Sequence, residues 1–161
     1  MTLGILGAVE EVNDRQKHVL LEKIRGEFPE GVNGMTFAVW GLSFKPRTDD
    51  IREAPSLTLI AELLAAGARL QVHDPEAIER VREQFGSQLV YAATPLDALE
   101  GADALAINTE WGEFRSVDLH EIRRRMKRPV MFDGRNLYEP ALARDAGFVY
   151  HSIGRVTARS P

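Results

Sequence analysis

The sequence predicts a three-layer α/β fold, in which a parallel sheet of five to six strands follows a long N-terminal helix. Short apolar stretches rich in β-branched and aromatic residues alternate with segments whose apolar residues recur at helical spacing. Strands that alternate with helices imply parallel pairing, with helices covering both faces of the sheet. The chain has 161 residues, which suits one ordinary domain.

Composition narrows the possible partners. Apolar residues make up 44% and charged residues 27% of the chain, as in a globular domain, and the net charge of −4 disfavours nucleic acid as a partner. The chain contains no apolar run of about 20 residues and no basic N-terminal region, so we expect no membrane segment, no signal peptide and a cytoplasmic location. Because cysteine is absent, this polypeptide has no disulfide and no cysteine nucleophile.

The first predicted element is a long amphipathic helix over residues 3–27. Asn13, Gln16 and Lys17 could line a site on this helix, but a solvated or partner-facing surface is the favoured interpretation. A helix of this length before the first strand indicates an interface with another domain or subunit.

The remaining elements are predicted from apolar runs, Gly and Pro breakers and helix caps. The predicted strands are 35–40, 69–73, 89–92, 104–108, 129–132 and 148–153. The predicted helices are 56–66, 77–85, 94–99, 118–127 and 139–146. The terminal residues 154–161 are expected to fray.

The connection over residues 41–55, between the first strand and the next helix, is the most informative segment. Connections of this kind usually take about 2–6 residues. This one is longer and carries Lys45, Arg52 and several acids, at the sheet edge where α/β folds bind ligands. We interpret it as a binding loop. The alternative is a solvated loop with internal ion pairs.

Other strand ends carry polar or aromatic residues whose roles the sequence leaves open. Asp74 could contact a ribose hydroxyl or cap the following helix, and the cap is favoured. Trp111 and Phe114 could face a ligand or simply cover the end of the sheet. Arg135 follows Gly134, which permits close backbone approach, at the same edge as the long loop.

Lys45, Arg52 and Arg135 therefore form a cationic edge suited to a diphosphate. The sequence has no glycine-rich dinucleotide fingerprint, no P-loop and no cluster of metal ligands. These features favour a binding half-site, that is, one side of a ligand-binding site. Two alternatives remain open, namely a stand-alone nucleotide-binding or regulatory module, and a self-contained enzyme that uses Asp74 or Asp133.

Several motifs resemble those of the nucleotide-sugar 6-dehydrogenases, the UDP-glucose/GDP-mannose dehydrogenase family. Residues 41–55 resemble the family motif GLxFKxxTxDxRExP. Later motifs follow in the family's order: HDP (73–75), TEW (109–111), FDGRN (132–136), GF (147–148) and GR (154–155). Residues 10–17 resemble the end of the family's central dimerisation helix. Glu110 and Trp111 followed by Phe114, and the DGRN turn (133–136), are more similar to the UDP-glucose branch than to the UDP-N-acetylmannosamine or GDP-mannose branches.

The resemblance implies two regions: residues 1–30 as the end of the central dimerisation helix, and residues 31–161 as the C-terminal nucleotide-sugar-binding domain. It implies that Phe44, Lys45 and Arg135 contact a UDP-sugar, and that Arg52 reaches NAD phosphates held by an N-terminal domain. The family's catalytic cysteine precedes the matched region. The chain is therefore expected to be a C-terminal part of such an enzyme, homodimeric through its helix and inactive alone, with no catalytic or metal-binding residue of its own.

Overall fold

The computed structural model describes residues 2–161, including their side chains except those of Thr2, Leu3 and Asn13. The strands are β1 (Thr36–Trp40), β2 (Arg69–His73), β3 (Val90–Tyr91), β4 (Ala104–Ile107), β5 (Val130–Asp133) and β6 (Val149–His151). The helices are α1 (Thr2–Glu27), α2 (Pro55–Ala65), α3 (Ile78–Phe85), α4 (Gly112–Arg115), α5 (Leu119–Arg125) and α6 (Pro140–Asp145). Single 3₁₀ turns cover Gly86–Gln88 and Asp97–Leu99.

The six strands form one sheet in the order β3-β2-β1-β4-β5-β6, and every neighbouring pair is parallel. The order reverses at β1, so the carboxyl ends of β1 and β4 flank the crevice where such sheets bind ligands. The predicted three-layer α/β fold, with its parallel sheet and N-terminal helix, is confirmed, and the strand order is Rossmann-like. The predicted helix over 94–99 is a short 3₁₀ turn, and α4 was not predicted because four residues are too few to show a helical period.

Apolar side chains of β1 alternate between two cores. Phe37 and Val39 pack in the cluster that includes residues of α1, α2 and α3. Ala38 and Trp40 pack in the cluster on the other face, which includes residues of α4, α5 and α6. This period of two places a helical layer on each face of the sheet and fixes the strand's register.

Helix α1 has a docked half and a projecting half. Leu20, Leu21 and Ile24 are buried against the domain. Nearer the N-terminus, four large apolar side chains are 50–68% exposed: Ile5, Leu6, Val9 and Val12. Among the described residues, no helix is both long enough and apolar enough to cross a membrane.

Within the terminal residues 154–161, which the sequence predicts to fray, Ala158 and Arg159 are bonded to the domain. Tyr150 and Ala158 exchange two backbone hydrogen bonds, of 2.8 and 3.0 Å. Arg159 donates two hydrogen bonds to Glu27 of α1, at 3.2 and 2.8 Å, and Glu27 also lies 2.9 Å from Nε2 of the buried His151. No local sequence pattern predicts these bonds, because Glu27 and Arg159 are far apart along the chain.

This cluster shifts two pKa values. Burial lowers the pKa of His151 below its ordinary value, although the hydrogen bond with Glu27 opposes the change. Burial raises the pKa of Glu27, but the hydrogen bonds from Arg159 and His151 outweigh that effect and hold it below its ordinary value.

Candidate functional site

The candidate site lies at the carboxyl edge of the sheet and begins with Gly41, the residue after β1. Gly41 has φ +88°, and a Cβ atom there would lie 2.6 Å from the Cβ of Thr109. Its N–H also donates to the carbonyl of His73, at 2.9 Å, which continues the strand pairing. Glycine is therefore required both by the backbone conformation and by the close approach of the loop after β4.

Asp74 anchors the start of the loop that follows β1. Its carboxylate is 2% exposed, and both oxygens are fully used. Oδ2 accepts from the N–H groups of Leu42 and Ser43 at 2.7 and 3.1 Å, from Ser43 Oγ at 3.2 Å and from Trp111 Nε1 at 3.2 Å. Oδ1 accepts from the N–H groups of Glu76 and Ala77, each at 2.8 Å. The favoured cap interpretation is wrong, because α3 begins at Ile78 without a side-chain cap and Oδ1 instead fixes the turn that precedes this helix. Oδ2 fixes the loop after β1, and Asp74 has no free oxygen for a ribose.

Beyond this anchor, the loop presents Phe44 and Lys45 to solvent. Phe44 is 47% exposed, which is unusual for a large aromatic side chain and makes its ring available for contact. Its N–H donates to the carbonyl of Asp50 at 2.8 Å and closes the loop. Lys45 is also exposed, so both residues can reach a ligand above the sheet edge.

Arg52 is held by one carboxylate and is otherwise open. Its Nε and Nη2 donate to the two oxygens of Asp50 at 3.0 and 2.9 Å, while its side chain remains 87% exposed. The side-chain hydrogen bonds from Arg52, with a further one from its backbone, lower the pKa of Asp50 to about 2. Asp50 thus stays charged and fixes the direction of the guanidinium, whose remaining N–H groups are available to an anion.

Arg135 joins the loops that follow three strands. Its backbone N–H donates to Oδ1 of Asp133 at 3.0 Å. Its guanidinium donates through Nε to the carbonyl of Asn108 at 2.8 Å and through Nη2 to the carbonyl of Phe44 at 3.3 Å. Nε also lies 3.1 Å from Glu110 Oε2, close enough for an ion pair but without hydrogen-bond geometry. The side chain is 33% exposed, so it can receive a ligand while it organises the edge.

The structure brings Phe44 and Arg135 together but places Arg52 elsewhere. Arg135 lines a small pocket of about 140 Å³ beneath α1, together with Gln16, Lys17 and Asn108. Arg52 lines an open cleft of about 720 Å³ between the loop and α3, together with Arg80. The three predicted cations therefore share one edge of the sheet but do not form a single cluster. Of the helix residues that could line a site, Gln16 and Lys17 do so, and the side chain of Asn13 lies outside the described part.

Asp133, like Asp74, is a buried anchor. Its Oδ2 accepts from Leu137 N, Tyr138 N and Tyr150 Oη at 2.7, 3.3 and 2.6 Å. Burial, reinforced by the Asp133 charge, raises the pKa of Tyr150 above its ordinary value, so the phenol remains a donor. Neither acid has an open position for an acid, base or nucleophile, which disfavours the self-contained enzyme. In the described residues, no three acid or histidine side chains are grouped to hold a metal ion.

Trp111 and Phe114 cover the end of the sheet. Trp111 is 9% exposed and its indole donates to Asp74, while the fully buried Phe114 stacks on Trp40 with ring centroids 5.0 Å apart. Of the two interpretations that the sequence left open, the structure favours the covering role.

Together, the parallel sheet, its strand order and its cationic carboxyl edge define a Rossmann-like ligand-binding domain. The chain belongs to the UDP-glucose/GDP-mannose dehydrogenase family, since residues 38–140 match the model of that family's UDP binding domain. The family resemblance seen in the sequence motifs is confirmed.

Relatives and solved structures agree with this assignment. The chain is 46% identical over 159 residues to a UDP-glucose 6-dehydrogenase of Pseudomonas aeruginosa, covering 96% of this chain and 35% of the relative. It is 37% identical over 155 residues to a UDP-glucose 6-dehydrogenase of Bacillus subtilis, covering 96% of this chain and 33% of the relative. The structure of a UDP-glucose dehydrogenase from Pyrobaculum islandicum superposes with a TM-score of 0.79 at 31% identity. The match covers 95% of this chain and 33% of that structure's chain. The chain thus spans about a third of the length of the relatives it matches.

Proposed function

We propose that this chain forms the UDP-sugar-binding part of a UDP-glucose 6-dehydrogenase, the enzyme that oxidises UDP-glucose to UDP-glucuronate with NAD. The observation that carries the proposal is the contact between Arg135 and the Phe44 carbonyl, at 3.3 Å, which joins two predicted ligand residues at one edge. Similarity to UDP-glucose 6-dehydrogenases over 96% of the chain supports this choice of nucleotide sugar.

In this proposal, Phe44, Lys45 and Arg135 hold the substrate. Lys45 supplies a compact positive charge to the diphosphate, and the exposed ring of Phe44 packs against the nucleotide sugar. The guanidinium of Arg135, fixed by backbone carbonyls on one side, donates its remaining N–H groups to the substrate. Because the protein already orders this side chain, less conformational entropy is lost on binding.

Arg52 is proposed to contact the diphosphate of NAD. Its exposed guanidinium, held at one edge by Asp50, fits a phosphate contact. The chemistry that NAD supplies when bound is hydride acceptance. The cleft lined by Arg52 is separate from the pocket lined by Arg135, which supports different ligands for the two arginines.

We further propose that catalysis requires an N-terminal NAD-binding domain of the same enzyme, which would supply the nucleophilic cysteine. The chain has no cysteine, so we expect it to produce no NADH from NAD and UDP-glucose when it is purified alone. Enzyme-dependent absorbance of NADH under these conditions would contradict the proposal that catalysis requires the N-terminal domain.

Residues 1–30 are proposed as the end of a dimerisation helix, preceding the nucleotide-sugar-binding domain at 31–161. The exposed apolar face of α1 supports this proposal, since Ile5, Leu6, Val9 and Val12 lie at helical spacing. Light scattering coupled to size exclusion should show a dimer that dissociates in an Ile5→Lys/Val9→Lys variant. A monomeric wild-type chain would contradict the proposed interface.

Binding of nucleotides to the purified chain tests the main proposal. Calorimetric titration should show that UDP-glucose and UDP bind, and that GDP and UDP-N-acetylmannosamine bind more weakly. A chain that gives no binding signal with UDP-glucose or UDP would refute the proposal, and a preference for GDP or UDP-N-acetylmannosamine would assign a different branch of the family.

A further inference from the structure

The loop that follows β1 contains a turn whose sequence does not suit its backbone. The N–H of Ala54 donates to the carbonyl of Ile51 at 3.1 Å, so Arg52 and Glu53 occupy the two central positions of a four-residue turn. Glu53 has φ +58°, in the left-handed region. A turn with positive φ at its second central position normally takes Gly or Asn there, because a longer side chain is strained.

The side chain of Glu53 explains why a strained residue is held in place. Its carboxylate accepts a hydrogen bond from the ammonium group of Lys17, on α1. Lys17 is only 19% exposed and also lies 3.8 Å from Asp14. The hydrogen bond that Lys17 donates to Glu53 is the largest of the effects that raise the pKa of Lys17 above its ordinary value, which keeps the lysine charged. A glycine at position 53 would relieve the backbone but could not make this contact.

The turn is connected to both proposed ligand sites. Arg52 lies within it, and its backbone N–H donates to the Asp50 carboxylate at 3.0 Å, a bond that does not depend on the Arg52 side chain. Asp50 in turn accepts the N–H of Phe44 through its carbonyl, at 2.8 Å. A continuous set of contacts therefore runs from Lys17 on α1 through the turn to Arg52 and Phe44. Strained residues of this kind are retained where the surrounding structure and the function require them.

We propose that Lys17 and Glu53 are positioning residues that hold the Ile51–Ala54 turn, and through it present Phe44 to the UDP-sugar and Arg52 to the cofactor. This rests on the proposed function, and it makes α1 a structural support of the binding edge as well as a candidate interface.

The experiment compares Lys17→Met, Glu53→Gly and the charge exchange Lys17→Glu/Glu53→Lys with the wild-type chain. Arg25→Met is the matched control, since Arg25 also joins α1 to the domain through an ion pair, 3.5 Å from Glu62, but lies away from the loop. Glu53→Gly suits the backbone of the turn, so the variant is expected to fold. Two properties are measured: hydrogen exchange of the Phe44 amide, which needs no ligand, and the dissociation constant for UDP-glucose.

Lys17→Met and Glu53→Gly should each accelerate exchange of the Phe44 amide and weaken UDP-glucose binding by about two- to fivefold, the range of an exposed ion pair. The charge exchange should recover most of both losses, and Arg25→Met should change neither. Equal effects of Lys17→Met and Arg25→Met, or wild-type exchange and affinity in Glu53→Gly, would overturn the proposal. If the wild-type chain failed to bind UDP-glucose, the proposed function would fail, and the exchange rates would still decide whether this pair holds the loop.

Discussion

Replacement of Arg135 by alanine is the sharpest test of the proposed substrate site. In the structure, its guanidinium donates to the carbonyls of Asn108 and Phe44, so its position is fixed before any ligand arrives. A charge-assisted hydrogen bond contributes about 1.5–3 kcal/mol when it is partly desolvated. At 1.4 kcal/mol per decade, Arg135→Ala should therefore weaken UDP-glucose binding by about 10- to 150-fold.

Arg135→Lys should recover only part of this loss. A lysine ammonium carries the charge but not the planar fork, and it cannot hold the Asn108 and Phe44 carbonyls while it also contacts a diphosphate in the same geometry. The partial rescue distinguishes a specific arginine contact from a general effect of positive charge. Lys45→Ala should cause a loss in the same range as Arg135→Ala, because Lys45 contributes its own charge to the substrate.

The assay is calorimetric titration of UDP-glucose into each purified variant, with the fold checked by circular dichroism. Arg144→Ala is the matched control, because Arg144 is an exposed arginine on α6 that pairs with its neighbour Asp145. A loss of less than about threefold for Arg135→Ala, or an equal loss for Arg144→Ala, would refute the assignment of Arg135 to the substrate.

Three further outcomes are expected. Arg52→Ala should leave UDP-glucose binding by this chain nearly unchanged, because its proposed ligand is the cofactor, and a large loss in the same titration would assign Arg52 to the substrate. Asp74→Asn should lower the free energy of unfolding by about 1–3 kcal/mol in urea denaturation, because an amide group would face N–H donors in a buried site; wild-type stability would contradict the anchoring role. The pKa values of His151 and Glu27 in the folded chain lie below their ordinary values of 6.5 and 4.5, so on acidification the unfolded chain binds more protons than the folded chain. The melting temperature should therefore fall as the pH drops below 6.5, because of His151, and again below 4.5, because of Glu27. His151→Gln should abolish the fall in melting temperature below pH 6.5, and the control His18→Gln should not. If the melting temperature of His151→Gln still falls in this range, His151 does not cause the decrease.

The sequence was sufficient to predict the framework because its signals are local. β1 was expected over 35–40 and lies at Thr36–Trp40, since a short apolar run bounded by polar and glycine residues marks a buried strand. β2 was expected over 69–73 and lies there. Once the order of strands and helices was known, the carboxyl edge followed from topology, and so did the general position of the predicted ligand residues.

The details of the edge were less predictable because they depend on contacts between distant segments. The sequence predicts Asp74 as a helix cap, but one of its oxygens binds the turn before α3 and the other binds Leu42, Ser43 and Trp111, which no local pattern links to it. The contact between Lys17 and Glu53 crosses from α1 to the loop, and the left-handed conformation of Glu53 contradicts its local preference. Contacts between such distant segments form only when the chain folds, so no local sequence pattern predicts them.

The acids and cations at this edge have different roles, and this difference favours binding over catalysis by the chain itself. Asp74 and Asp133 are buried and saturated by N–H and O–H donors, so they hold the loops in place. Lys45, Arg52 and Arg135 keep part of their donors exposed, and Arg52 and Arg135 are each oriented by an acceptor on one side. The exposed acids of the same edge are each paired with a cation: Asp49 with Arg80, Asp50 with Arg52 and Glu53 with Lys17. Such an edge suits a diphosphate, because the Arg52 and Arg135 side chains are ordered before binding and the buried acids Asp74 and Asp133 are too well bonded to exchange protons with the ligand.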